Sequence, residues 1–360
     1  MAKKITIFLF FILIGSAIFL IGYSFSQTPP ATDQQALINN SLVSRFEKNP
    51  ERRTSVTGLI QLSKGAAAFP TLSTDGKEIR YYVPKSGEIR SVSVKDLNNG
   101  SVLVSTIVPN ANQISWSINR ILIATYDHGP VYYDLSAGLL KKLNPKIKNP
   151  VLSKTGDNVA YINFDDKEQS GTIRISDSKF EDFKNIMPTH LGSWKISWIN
   201  DHLLSLVKPP ESNGDGSWLF NLDIQTKSLD KILEAKTNLQ IAWSPDGQKL
   251  IYSYTDPSTN SSNLYLMDPT DKIEHLLKND LNANKCVWSI DNKTVYCAGV
   301  NSFLSFDTTL PELSPKTITI PTNYGVIDLE NATGLFLTSS ENFIIFQDAT
   351  NGKLYGLPFN

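Results

Sequence analysis

The chain has 360 residues, 41% of them hydrophobic and 19% charged, with 34 basic against 35 acidic side chains. That composition excludes a disordered chain, and the length exceeds one ordinary compact core unless the fold is a repeat or a large β structure. The near-neutral balance excludes a protein that tracks a phosphate backbone, so no nucleic-acid partner is expected.

In chain order, Lys3 and Lys4 precede an uncharged apolar run at residues 5–23, "ITIFLFFILIGSAIFLIGY". As a helix rising about 1.5 Å per residue it is roughly 28 Å long, close to the hydrocarbon thickness of a bilayer at about 30 Å. No Lys or Arg follows until Arg45, which keeps the N-terminus cytoplasmic and exports the remainder. Residues 1–23 are therefore expected to be a cytoplasmic tip and transmembrane signal anchor of a single-pass protein, in contact with the membrane through residues 5–23. The alternative is a secreted protein cut near the small residues Ser24 to Ser26; the length of the run favours the anchor. Without Lys3 and Lys4, the 34 basic residues fall to 32 against 35 acidic, a net charge of −3. Residues 24–54 read as a stalk, in which Ile38, Leu42 and Phe46 at four-residue spacing before Pro50 predict a short helix.

From residue 55 to 360 the sequence repeats. One unit, "AWSPDGQKLIYSY", reads as a strand ending at Trp243, an Asp246-Gly247 turn and a second strand from Leu250. Equivalent first strands end at Leu72, Trp116, Leu152, Trp198, Trp243 and Trp288, spaced by 44, 36, 46, 45 and 45 residues. A degenerate seventh unit begins near Tyr324. A second marker, an apolar strand ending in Asp, falls at Asp134, Asp177, Asp223, Asp268, Asp307 and Asp348, spaced by 43, 46, 45, 39 and 41. It is read as the third strand of each unit. "LKKLNP" after Gly138 and "KLYGLPF" near the C-terminus are read as fourth strands. Four-stranded units at this period are propeller blades. The fold class is thus all-β, a propeller of four-stranded blades behind an N-terminal transmembrane helix. Seven blades are favoured, with six or eight open, and "SVTGLIQLS" at residues 55–63 is a strand able to close the ring against the last blade.

"WSPDG" followed by an apolar strand and then "LYLMD" resembles the TolB-type, WD40-like β-propeller repeat. The likeness covers roughly Phe69 to Asp307 well and Tyr324 to Phe359 loosely; Leu replaces Trp at Leu72 and Leu152, and Asn119-Arg120 replaces Asp-Gly. The resemblance implies the propeller fold and exported bacterial relatives. It carries no activity, because the motif residues are structural.

Candidate chemistry is sparse. Cys286 and Cys297 lie on the two strands of the sixth hairpin, about opposite each other; an exported domain suits a disulfide, worth about 2–4 kcal/mol, with two buried thiols as the other reading. His128, His190, His202 and His275 never fall three to five residues apart, so no local zinc motif exists. Glu211, Asn213 and Asp215 have the spacing that opens a calcium loop, but the twelfth position is Leu222, and a hairpin loop explains them better. Ser-x-x-Lys at Ser176, Ser205 and Ser228 lacks its proper chain order. Asp75, Asp246 and Asp291 sit in equivalent turns, where capping of backbone N–H groups accounts for them.

The expectation is an extracytoplasmic scaffold in the cell envelope that binds a protein, peptide or polysaccharide, without cofactor or metal. Its binding face is expected on the loops between second and third strands, which carry Asp165, Asp166, Glu211, Asn213, Asp215, Thr255 and Asp256. The alternative is an enzyme, a metal-dependent lactonase or lyase, with carboxylates and His gathered at the central channel.

Overall fold

The structure is a computed structural model and describes residues 59–358, apart from 74, 95, 105–108, 118–120, 128, 211–214, 301, 311–312 and 320–328. The apolar run, the stalk, residues 55–58, Asn119-Arg120, His128, Glu211, Asn213 and Tyr324 lie outside the described residues. Among the described residues no helix is long and apolar enough to cross a membrane.

The strands form seven four-stranded antiparallel sheets, six of them simple meanders of consecutive strands. These are the blades of a propeller. Their first strands stand innermost, each meeting that of a neighbouring blade. Inner strands run Ala68–Leu72, Gln113–Trp116, Ile147–Leu152, Lys195–Trp198, Gln240–Trp243, Cys286–Trp288 and Ala332–Leu337 for blades 1 to 7.

Blade 7 is closed by the N-terminal end of the described chain: Ile60–Gln61 supplies its fourth strand, pairing Ile60 with Gly356 and Gln61 with Tyr355. This corrects the register read from the sequence for the last unit. "FIIFQD" at Phe343–Asp348 is the second strand, and Leu354–Pro358 is the third strand rather than the fourth. The apolar run ending in Asp348 imitates the third-strand marker because Asp348 caps its turn as those Asp residues do, its Oδ1 accepting from Thr350 N at 2.8 Å as Asp223 Oδ1 does from Gln225 N at 2.8 Å.

Both faces of a blade are covered by its neighbours, so second strands read as continuous apolar runs. In Asn158–Asp165 of blade 3, Ala160, Ile162 and Phe164 pack with Ile196, Leu204 and Leu206 of blade 4. The alternate residues Val159 and Tyr161 pack with Ile123 and Tyr132 of blade 2. The core is thus a ring of wedges between blades, each built from both neighbours.

The first–second turn follows one plan. Ser73, Ser153, Ser244, Ser289 and Thr338 directly follow their inner strands and are buried. In blade 5 the Ser244 hydroxyl donates to Asp246 Oδ1 at 2.6 Å and accepts from Lys249 N at 2.9 Å, while Gln248 N donates to the same Oδ1 at 3.0 Å. The residue three beyond the Ser or Thr adopts positive φ in each case: Gly76, Gly156, Gly247, Asn292 and Glu341. Glu341 in that place fixes the register of blade 7 independently of its strand pairing.

Cys286 and Cys297 are directly opposed in blade 6, with Cα atoms 4.0 Å apart, and are joined by a disulfide. Both are buried in the wedge between blades 5 and 6.

Candidate functional site

The inner strands of blades 1 to 5 border an open central cavity of about 870 Å³. Period-two alternation decides which groups it receives. In Gln113–Trp116, Ile114 is buried while Gln113 and Ser115 stay partly exposed on the wall; in Lys195–Trp198, Ile196 is buried and Ser197 is exposed. Each of the inner strands of blades 2, 4 and 5 ends in a half-buried indole on that wall, Trp116, Trp198 and Trp243. The exposed turn residues Lys154, Asp201 and Asp246 complete it.

Most of these groups are held by the fold. Trp116 Nε1 donates to Phe69 O at 2.7 Å and Trp198 Nε1 to Val151 O at 3.1 Å, each reaching into the preceding blade. Ser115 Oγ accepts from Leu152 N at 2.8 Å. Asn200 Oδ1 accepts from His202 N at 3.1 Å and Leu203 N at 2.9 Å, organising the short turn that replaces Asp-Gly in blade 4. Trp243 differs: its Nε1 is buried and meets no acceptor. A wall of fixed indoles beside hydroxyls and amides can stack on flat apolar surfaces and hydrogen-bond their polar rims. Among the described residues no group of three or more His, Cys, Asp or Glu side chains is placed to hold a metal ion.

The loop residues singled out from sequence lie at the other end of the blades, on second–third connections. Each of these loops is tied to its own blade. Asp165 Oδ2 accepts from Lys146 Nζ at 2.7 Å, and Asp166 Oδ2 from Lys148 Nζ at 3.0 Å. The Lys146 ammonium, first among the causes, holds the Asp165 carboxyl below the usual carboxylate range. Thr255 Oγ1 accepts from Asn238 Nδ2 at 3.1 Å. Asp256 Oδ1 accepts from the Ser258 hydroxyl at 2.6 Å and Ser258 N at 2.8 Å, and the hydroxyl contact lowers its pKa. Asp215 is exposed. Gln113, Ser115 and Ser197 are not among the residues that the repeat pattern singles out. The available signal was the polar residue alternating with Ile in "QISW" and "KISW".

No protein-family model matches the sequence, and no curated protein does. Solved propellers match its shape. An oligogalacturonate lyase in complex with manganese is 12% identical at a TM-score of 0.61, covering 88% of this chain and 96% of its own. The β-propeller domain of Cps50 (Swd1) from Myceliophteria thermophila is 11% identical at 0.57, covering 84% of this chain and 100% of its own. TolB from Acinetobacter baumannii is 12% identical at 0.45, covering 84% of this chain and 64% of its own. At these identities the likeness shows the fold: an all-β propeller.

Proposed function

We propose that the chain is a TolB-type binding scaffold of the cell envelope, anchored through residues 5–23 with its propeller outside the cytoplasm, that takes a segment of a polymer into the central cavity. The observation that carries this reading is the cavity itself, large enough for a ligand and walled by three indoles among short polar groups. The N-terminal apolar run and the exporting charge bias support the location. The loops bearing Asp165, Asp166, Asp215, Thr255 and Asp256 form the opposite face, available to a second partner.

Soluble envelope polymers titrated into the detergent-solubilised full chain test the reading, with tryptophan fluorescence reporting on the cavity indoles. A saturable change, lost when Ser197→Trp fills the cavity, is expected, with the polymer recovered at its original size. Shortened polymer with new chain ends would instead establish the enzyme reading, a lyase or lactonase working in the same cavity. Saturable binding that Ser197→Trp leaves intact would move the site to the loop face.

A further inference from the structure

The seam between blades 7 and 1, where the ring closes, holds a cavity of about 370 Å³ that shares no lining residue with the central one. Strand pairing in blade 1 sets Tyr81 opposite Arg90 and Val83 opposite Glu88. With a side-chain period of two, all four stand on one face of the sheet. Tyr81 and Val83 pack with Ile345 and Leu354 of blade 7, so that face is turned to the closing seam. The link at residues 63–66, between the closing strand and the inner strand of blade 1, forms the remaining wall. Lys85 and Ser86 belong to a second–third connection, which sets the cavity at the same end of the blades as the loops of Asp165 and Asp256.

The link is tied down along its length. Ser63 Oγ accepts from Leu354 N at 2.8 Å and donates to Gly65 O at 2.8 Å. The Tyr81 hydroxyl donates to Leu62 O at 3.3 Å, and Gln347 Nε2 to Ala67 O at 2.6 Å. The cavity is therefore preformed, and its volume is that of a small-molecule site. Gly65 is exposed, and no atom beyond its chain neighbours lies within 4 Å of the place a Cβ would take there.

The cavity is positive on a chain that is not. Lys64, Lys85 and Arg90 line it against one carboxylate, Glu88, a net charge of +2, whereas the chain beyond Lys4 carries 32 basic and 35 acidic residues, a net of −3. Arg90 Nε donates to Glu88 Oε2 at 2.7 Å, with the two side chains 27% and 25% exposed. That bond matches the carboxylate and uses one edge of the guanidinium. The terminal Nη groups of Arg90 and the Lys85 ammonium meet no acceptor among the described residues. An outer guanidinium fork fits two oxygens of a carboxylate or phosphate, and partial burial strengthens that contact over one in bulk water. The lysines raise the local concentration of anions at the mouth.

We propose that this cavity binds a small ligand through an oxyanion group, a carboxylate or a phosphate. Arg90 takes two of its oxygens end-on, Lys85 and Lys64 balance its charge, and Ala66 and Val83 border its body. The site stands independently of the central cavity and lies at the opposite end of the blades from the Asp201 and Asp246 turns.

The test is calorimetric titration of the detergent-solubilised full chain with inorganic phosphate, glucose 1-phosphate, glucuronate and hexanoate. Glucose and hexanamide are the uncharged counterparts. The oxyanions are expected to bind one per chain, at least about tenfold more tightly than the uncharged pair. A stronger phosphate series or a stronger carboxylate series would each support the site and name its group. Gly65→Glu, which sets a carboxylate at the open edge, should weaken binding by about tenfold, and Lys85→Gln by about threefold. Arg90→Lys keeps the charge but loses the fork and should cost about fivefold. Thermal melting of the free Gly65→Glu and Lys85→Gln variants should match the parent, since both positions are exposed. Ser197→Trp, in the central cavity, should leave oxyanion binding unchanged. Binding that Gly65→Glu, Lys85→Gln and Arg90→Lys all leave intact would overturn the site, whether or not Ser197→Trp removes it. Equal binding of the uncharged pair would overturn the oxyanion, and no heat with ligand at about 10 mM would overturn the site outright.

Discussion

Two neighbouring seams of this ring use the same residue in the same place and differ in what it meets. Between blades 5 and 6, Trp288 is 5% exposed and its indole donates to Ala242 O; Asp246 N donates to Asn292 Oδ1 at 3.0 Å, and Lys249 Nζ to Thr308 O at 3.0 Å. The disulfide lies in the same wedge. Between blades 4 and 5, Trp243 is half-buried, its N–H has no acceptor, and the hydrogen bond across the seam, Lys272 Nζ to Lys231 O at 2.9 Å, joins exposed residues of the outer strands. A repeat motif thus places the ring but does not decide its job. One Trp ties its seam by a hydrogen bond, and the other packs against the apolar cluster of its seam without one.

The largest expected effect is on the tight seam. Trp288→Ala should destabilise by about 3–5 kcal/mol, the range for emptying a buried aromatic site, measured by denaturant unfolding of the full chain. Trp243→Ala should cost about half as much because its ring is only half-buried; equal costs would break the contrast. Replacing Cys286 and Cys297 together by Ser should lower stability by about 2–4 kcal/mol, and reductant should bring the parent protein down to the same level.

Gly247→Ala tests the seam between blades 4 and 5 where it is closest. Gly247 has φ of +73°, and a methyl there would run into the Ile199 side chain of blade 4. A loss of about 1–3 kcal/mol is expected from the left-handed backbone and the crowding together. A neutral result would mean that the two blades separate without strain.

A finer comparison uses Phe. Trp198→Phe removes the donor to Val151 O and should cost about 1–2 kcal/mol, whereas Trp243→Phe removes a buried N–H with no acceptor and should be within about 0.5 kcal/mol of the parent. Thermal melting of the pair reads the difference directly, and equal losses would show that Trp243 also ties its seam.

The smallest effect concerns the turns. The Ser73 hydroxyl first, and Lys77 N next, hold the Asp75 carboxyl at about 2, and Ser289 and Lys293 N lower Asp291 in the same way. A carboxyl depressed on folding contributes stability that is complete above its unfolded pKa of about 4 and is lost as pH falls toward its folded value. Melting temperature should therefore drop between about pH 4 and pH 2 in the parent protein. Asp75→Asn with Asp291→Asn should flatten that drop without altering the seams, and an unchanged slope would assign acid sensitivity to other groups.

Much of this architecture could be read from residues close together in the chain. The Trp–Ser–x–Asp–Gly turn, the alternating strands and the opposed cysteines are local, because a hairpin's register depends on its own turn and pleat. The last blade could not be read that way. Its fourth strand comes from the other end of the domain, and Glu341 stands at the positive-φ turn position that Gly or Asn fills in blades 1, 3, 5 and 6, so "ATGLFLTSSENFIIFQD" lacks the familiar turn residue that marks a second strand. The central site was hidden for a related reason. Alternation separates two faces of a strand, but both faces of a blade are covered, and only ring closure decides which residues are left around the axis. The sequence by itself determined the blades, their turns and their number within one. The tertiary structure decided that Gln113, Ser115 and Ser197 share a cavity with three indoles, and that Trp243 lacks the acceptor its counterparts have, because both depend on how closely each blade approaches the next.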